Sequence, residues 1–260
     1  MKYSHSELLD EIKKIFNGEV NSDVKTLDIY SRDASLFEVK PELVLFPENS
    51  EDIQKIVKFV GENKTDNPAL SITARSAGTC MSGGSLSESI ILDVTKHMGG
   101  IKEVNSEEAT ALPGTFYRDF EVETLKHDAI LPSYTASKNL NTVGGMVANN
   151  SAGEKTLAYG KTERYVKEMR VIFADGNEYV TKPLNKEELE RKIAQGDYEG
   201  NIYKNLWNLI QENEQAIKYA KPDVSKNSAG YYLWNVWDGQ TFDINKLITG
   251  SQGTLCVITE

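Results

Sequence analysis

Residues 72–86 read ITARSAGTCMSGGSL, a strand-like start that runs into glycine, hydroxyl and other small residues. Gly78 and Gly83 have four residues between them, the glycine spacing of a Walker phosphate loop. That loop needs Lys and then Ser or Thr after its second glycine, but here Gly84 and Ser85 follow. It must also open a helix, whereas Ser89–Val94, SIILDV, reads as a strand. A second decoy, Gly160-Lys161-Thr162, fails because Lys155 stands where its first glycine belongs, and no G-x-G-x-x-G fingerprint occurs. What remains is strand–loop–strand. Its glycines let backbone amides converge on an anion, with hydroxyls at Ser76, Thr79, Ser82 and Ser85 and a charge at Arg75. Taken alone, a long Gly/Ser hairpin loop is the simpler reading.

Outward from this loop the chain alternates strand and helix signals. Ser4 and Glu7 form a capping box ahead of an apolar stripe at Leu8, Ile12, Ile15 and Phe16, predicting a helix over 4–16. Pro41–Pro47, PELVLFP, reads as a buried strand; Asn49 or Ser50 then caps a helix carrying Ile53, Ile56, Val57 and Val60. Strands at Leu70–Ala74 and Ser89–Val94 flank the quoted loop, closing a small α/β unit near Asn105. A second unit opens with a strand at Thr110–Leu112 and a helix over Thr115–Lys126 with Phe116, Phe120 and Leu125 on one face. Asp175-Gly176-Asn177 turns a hairpin between Val171–Ala174 and Glu178–Thr181. Lys186–Lys192 is the solvated face of a helix, and 201–219 predicts one long helix burying Ile202, Leu206, Leu209, Ile210, Ala216 and Ile217.

Composition narrows the function classes. The 260 residues carry a net charge of −10, which argues against nucleic acid or an anionic membrane surface as partner. Two cysteines, Cys80 and Cys256, make no disulfide framework and fit a reducing compartment; both read as inert. Three scattered histidines make no metal site, and His97 reads as a surface or capping residue. No apolar run approaches a membrane span and no signal peptide is visible, so a cytoplasmic location is expected. The strand-like end at LCVITE makes a continuation of the chain an expectation.

A second small-residue cluster lies at Thr142–Gly153, TVGGMVANNSAG. Short side chains permit close approach of a ligand, and Asn149 and Asn150 offer donors and acceptors, although a helix crowded against a sheet would use the same residues. With this cluster the chain resembles FAD-binding domains of the vanillyl-alcohol-oxidase (PCMH) type, and within them FAD-linked D-lactate and glycolate dehydrogenases. The stretches that carry the resemblance run in the family's order. They are Tyr30–Phe37, Pro41–Ile53, Ala74–Gly84, Thr142–Thr162, Phe173–Gly176, Ser225–Leu233 (SKNSAGYYL) and Thr249–Glu260 (TGSQGTLCVITE).

The resemblance implies an α+β, PCMH-type fold of two α/β subdomains, about 36–105 and 106–260, after a helical lead-in at 1–35. It implies an FAD pyrophosphate wrapped by Arg75, Ser76, Ala77, Gly78 and Thr79, with Cys80, Ser82 and Gly83 closing the turn. Thr135 and Ser137 are implied as polar contacts to the flavin, and Thr142, Gly144 and Gly145 as a second backbone approach. Asn149, Ser151 and Gly153 fall at ribityl or ring contacts, and Gly253, Val257 and Ile258 against the adenine or flavin. Some relatives anchor FAD through a His where Thr79 stands here, so the FAD is expected to be non-covalent.

The family reaction is oxidation of a D-2-hydroxy acid to the 2-oxo acid, with hydride passing to flavin N5. Reoxidation is by a quinone, cytochrome, iron–sulfur or flavoprotein acceptor. The base, the carboxylate-binding Arg and any metal belong to a substrate or cap domain beyond this sequence, so no catalytic or metal-ligating residue is assigned. Two alternatives stand beside this: a stand-alone flavin-binding or electron-transfer subunit needing a separate cap chain, and a scaffold that has lost FAD.

Overall fold

The computed structural model describes residues 3–224, 226, 227 and 230–260. Its first half is built on a four-stranded sheet. Helix α1 (His5–Ile15) is closed by the Ser4/Glu7 capping box and followed by strand β1 (Glu19–Asn21) and helix α2 (Val24–Tyr30). Then come β2 (Leu43–Phe46), α3 (Ser50–Asn63, capped by Asn49), β3 (Ile72–Arg75) and β4 (Ile90–Asp93). The sheet order is β1-β2-β4-β3, with β1 antiparallel to β2 and the other pairs parallel.

The unbroken apolar runs of β2 and β4 follow from burial on both faces. Leu43, Leu45, Ile90 and Leu92 pack against Leu8 and Ile12 of α1 and Ile53 and Ile56 of α3, while Val44, Phe46 and Ile91 meet Leu27 of α2. The expected helical lead-in therefore supplies an edge strand and helical cover as well. Buried Asp52 ties it in, its carboxylate accepting from the amides of Asn17, Gly18 and Glu48 at 3.0–3.1 Å.

Strands β5 (Ile101–Val104) and β6 (Ala109–Ala111) form a hairpin whose turn falls at the expected boundary near Asn105. Helix α4 (Tyr117–Leu125) buries Tyr117, Phe120 and Thr124, at i, i+3 and i+7. Phe116 is its N-cap, and Leu125 lies off that stripe and is 55% exposed, correcting the expected face. Helices α5 (Val143–Ala148) and α6 (Thr156–Tyr159) lead to β7 (Met169–Ile172) and β8 (Glu178–Thr181), the expected hairpin, with Gly176 at φ +74° in its turn.

The chain continues through β9 (Leu184–Asn185), α7 (Lys186–Ala194), α8 (Tyr198–Glu212) and α9 (Glu214–Ala220). The single long helix expected over 201–219 is broken at Asn213, so the stripe cannot be carried across it. Leu206 and Ile210 are buried, but Leu209 and Ala216 are exposed. Strand β10 (Thr241–Phe242), helix α10 (Asn245–Ile248) and strand β11 (Val257–Ile258) end the fold, and β11 pairs antiparallel with β7 in the sheet β11-β7-β8. Ile172 of β7 belongs to the first core and Val257 of β11 packs on it, so the two halves share a seam.

Candidate functional site

The Gly-rich loop lies on that seam. Strands β3 and β4 are parallel neighbours, Ile72 opposite Ile90, so residues 76–89 form a crossover and not the hairpin that was the simpler reading. The loop leaves the carboxyl end of β3, where parallel sheets place their ligands. Beneath it Arg75 is buried, its guanidinium donating to the carbonyls of Tyr30 (3.1 Å) and Arg32 (2.7 Å) and lying 4.9 Å from the centre of the Tyr30 ring. Burial pulls the Arg75 pKa down against the opposing effect of Asp93, Tyr30 and Asp33. The charge expected to face an anion is therefore turned inward, where it pins segment 30–34 under the loop. Ala34 N donates to Gly78 O at 3.0 Å, and Ser85 Oγ donates to Asp33 Oδ2 at 3.0 Å.

With its carbonyl side held, the loop offers its amides. Among the described residues, no protein oxygen accepts from the backbone N–H of Ser76, Ala77, Gly78 or Thr79. Gly78 turns the run at φ +64°, giving the concave donor set of an anion nest. Farther along, the Cys80 thiol is raised by burial but brought lower overall by the Ser82 hydroxyl and the amides of Ser82 and Gly84. Expected to be inert, Cys80 thus sits among donors that favour its thiolate. Cys256 is the opposite case: burial alone pushes it up to about 12.

The loop forms one wall of a cleft of about 500 Å³, a size usual for small-molecule sites. Arg75, Ser76, Ala77, Gly78, Thr79, Cys80 and Ser82 line it from the first half. The facing wall carries Thr142, Gly144, Gly145, Asn149 and Ser151 around α5. Thr142 joins the two walls: its Oγ1 accepts from Gly145 N (3.1 Å), capping α5, and donates to Ser76 Oγ (2.8 Å). The amides at the start of α5 are engaged, Val143 N with Thr115 O and Gly144 N with Pro113 O. Gly144 and Gly145 thus provide close packing and space, not free donors. A Cβ at Gly144 would lie 2.6 Å from Pro113 Cβ.

Thr135 and Ser137 line a third side, their hydroxyls 2.8 Å apart, and Gly253, Val257 and Ile258 come from β11 and the turn before it. That turn is bent at Gly250, Gln252 and Gly253, all at positive φ.

Two expected residues stand behind the walls. Gly83 turns the loop at φ +78° against Phe37, and Gly153 packs on the Tyr134 carbonyl. Asn150 also faces away, its amide exchanging bonds of 2.9 and 3.1 Å with Glu163. His97 lies 3.0 Å from Glu19 on the surface, and among the described residues no three His, Cys, Asp or Glu could hold a metal ion. Lys161 of the second decoy is a buried clamp that donates to Tyr232 and the Asn227 carbonyl; burial lowers its pKa. The Ser225–Leu233 stretch falls partly outside the described residues, at 225, 228 and 229.

Several lining residues were not expected: Asn141, Met146, Ala148, Ser251 and Gln252 among them. Asn141 is 4% exposed and its Oδ1 has no partner. The cleft therefore presents a row of free amides, space beside two glycines and an unpaired buried acceptor. A dinucleotide with a diphosphate and hydrogen-bond donors, as in FAD, fits that donor and acceptor set.

Comparison with known proteins points the same way. Residues 41–182 match the family described as FAD binding domain. The chain is 25% identical over 261 residues to D-2-hydroxyglutarate dehydrogenase of Pseudomonas putida, covering 99% of this chain and 26% of that protein. It is 30% identical to glycolate oxidase subunit GlcD of Bacillus subtilis (89% of this chain, 38% of that one). Against D-lactate dehydrogenase of Archaeoglobus fulgidus identity is 26% (97% and 45%). The chain spans from about a quarter to under half of these relatives. In fold it is similar to alkyldihydroxyacetonephosphate synthase, with a TM-score of 0.65 at 16% identity, covering 99% of this chain and 40% of that one. A family match over more than half its residues, on a fold whose seam holds a free-amide cradle, shows that the chain belongs to the FAD binding domain family.

Proposed function

We propose that this chain is the FAD-holding part of an oxidoreductase that oxidises a D-2-hydroxy acid, of the D-lactate, glycolate or D-2-hydroxyglutarate type, to the 2-oxo acid. The observation that carries the reading is the unpaired amide run Ser76–Thr79 on the cleft, in a chain aligned almost end to end with enzymes of those names. FAD supplies the hydride acceptor when bound. In this reading the amides of Ser76–Thr79 hold the diphosphate, Cys80 and Ser82 shape the end of the loop, and Gly144 and Gly145 let the cofactor approach. Thr135, Ser137, Asn149 and Ser151 contact its polar parts, Gly253, Val257 and Ile258 pack on it, and Gly83 and Gly153 keep the walls in place.

The FAD is held non-covalently, since Thr79 offers no ring nitrogen for attachment. The substrate's base and carboxylate ligands are assigned to a substrate or cap portion such as the longer relatives have room for. Electrons then leave to a quinone, cytochrome, iron–sulfur or flavoprotein acceptor. Two unpaired thiols, one of them favoured as thiolate, suit a reducing, cytoplasmic setting. A second reading, a flavin-binding subunit completed by a separate chain, is favoured by the relative named as a subunit of glycolate oxidase.

An absorbance scan of the purified protein, before and after acid precipitation, tests the cofactor. Visible flavin bands that move wholly to the supernatant are expected. Colourless protein after incubation with FAD would sink the proposal, and colour left in the pellet would sink the non-covalent part. Dye reduction with D-lactate, glycolate and D-2-hydroxyglutarate, by the chain together with its substrate portion or partner subunit, tests the reaction.

A further inference from the structure

Asn141 sits on the cleft wall with all but one of its hydrogen-bonding groups engaged. Its N–H donates to Ser137 O (3.0 Å), its carbonyl accepts from Tyr117 N (3.0 Å), and Nδ2 donates to Thr135 Oγ1 (3.1 Å). Only Oδ1 is unpaired, on a residue 4% exposed that lines the cleft. A buried acceptor left without a donor destabilises the protein that carries it, and such an atom on a ligand cleft marks where a ligand donor goes. Phosphate oxygens only accept, so the diphosphate held by the free amides cannot satisfy it. The donors of FAD are the ring N3–H, the ribityl and ribose hydroxyls and the adenine amine.

Resting on the reading of the cleft as an FAD site, we propose that Asn141 Oδ1 is a recognition contact that accepts a hydrogen bond from an O–H or N–H group of bound FAD. The cleft then reads both polarities of the cofactor: acceptors through the loop amides, and a donor through Asn141. Thr135 and Ser137 act as positioning residues. Their paired hydroxyls hold the Asn141 amide so that Nδ2 stays inward and Oδ1 faces the cleft.

Titration of the apoprotein with FAD, FMN and ADP, for wild type and Asn141→Leu, tests this. Asn141→Leu keeps the shape and removes the acceptor, so FAD affinity should fall roughly five- to tenfold. The melting temperature of the apoprotein should hold or rise, because an unpaired buried acceptor is gone. A merely structural role predicts instead that affinity and apo melting temperature fall together, and that result overturns the proposal, as does unchanged FAD affinity. Loss confined to FMN places the donor on the flavin half; loss confined to ADP places it on the adenosine half. Asn141→Asp, which can only accept, should bind FAD better than Asn141→Leu does. Weaker binding would put a phosphate oxygen opposite and overturn the assignment. Failure of the wild type to bind FAD would instead remove the cofactor reading itself.

Discussion

Gly78 shows how one backbone angle supports the site. At φ +64° it turns the free amides toward the cleft, and a Cβ there would lie 2.7 Å from an Arg75 guanidinium nitrogen. Gly78→Ala should lose about 1–2 kcal/mol from the left-handed angle and also displace Arg75, weakening FAD binding. Gly196→Ala is the control: φ is +68° with nothing within 4 Å, so stability falls while flavin titration is unchanged. The two thiols offer a second residue-scale check. At neutral pH an alkylating reagent should label Cys80 in the native protein, more slowly once FAD is bound, and Cys256 only after unfolding. Equal labelling of both would contradict the assigned environments. The glycine loops, with Thr142, Asn149 and Ser151, were legible because small and hydroxylated residues cluster there. Asn141 was not, since a lone Asn in TASKNLN looks like any turn residue and its unpaired atom exists only in three dimensions. Arg75 misled for a related reason: sequence shows a charge but not the direction of its side chain.

At the scale of elements, continuous apolar runs and capped stripes were readable, and short or composite pieces were not. Strand β1 is only EVN, too short to show alternation, and β5 has a bulge between Ile101 and Glu103. The direction of the β3–β4 pair was hidden altogether, because neighbour order, not local pattern, decides between hairpin and crossover. The break at Asn213 sits between two good helical segments and carries no proline or glycine to announce it. Thr142 is where an element meets the site, since one hydroxyl caps α5 and also bonds across to Ser76. Thr142→Val should therefore lose about 1–2 kcal/mol in urea unfolding and weaken FAD together with it, while Thr142→Ser retains both.

For the whole molecule, alkali is the informative variable. Burial holds the Cys256 thiol neutral up to about 12, while the unfolded thiol ionises near its ordinary value of 9.0. Between those values the unfolded state binds fewer protons than the native one, so stability must fall as pH rises. The Cys256 contribution has a limiting slope of about 1.4 kcal/mol per pH unit. Tyr179 and Tyr232, both raised by burial to about 12, add to the decline in the upper part of the range. Urea unfolding from pH 8 to 10.5 should show the decline in this protein and a flatter profile in Cys256→Ala. A second whole-molecule outcome concerns salt. The protein is at −10, and its one cleft-lining guanidinium is turned away, so added salt should leave FAD affinity level or slightly higher. A steep fall would mean that cationic side chains hold the diphosphate.

Holding an anion with main-chain N–H groups also shapes how such a site drifts and how it hides. Exchanging Ala77 or Thr79 for other residues that tolerate the same backbone leaves every donor in place, so the loop can wander in composition while keeping its grip. Alanine scanning would pass over it almost in silence. Only proline, or an ester in place of one peptide link, removes a donor, and those are the replacements to which this stretch should answer.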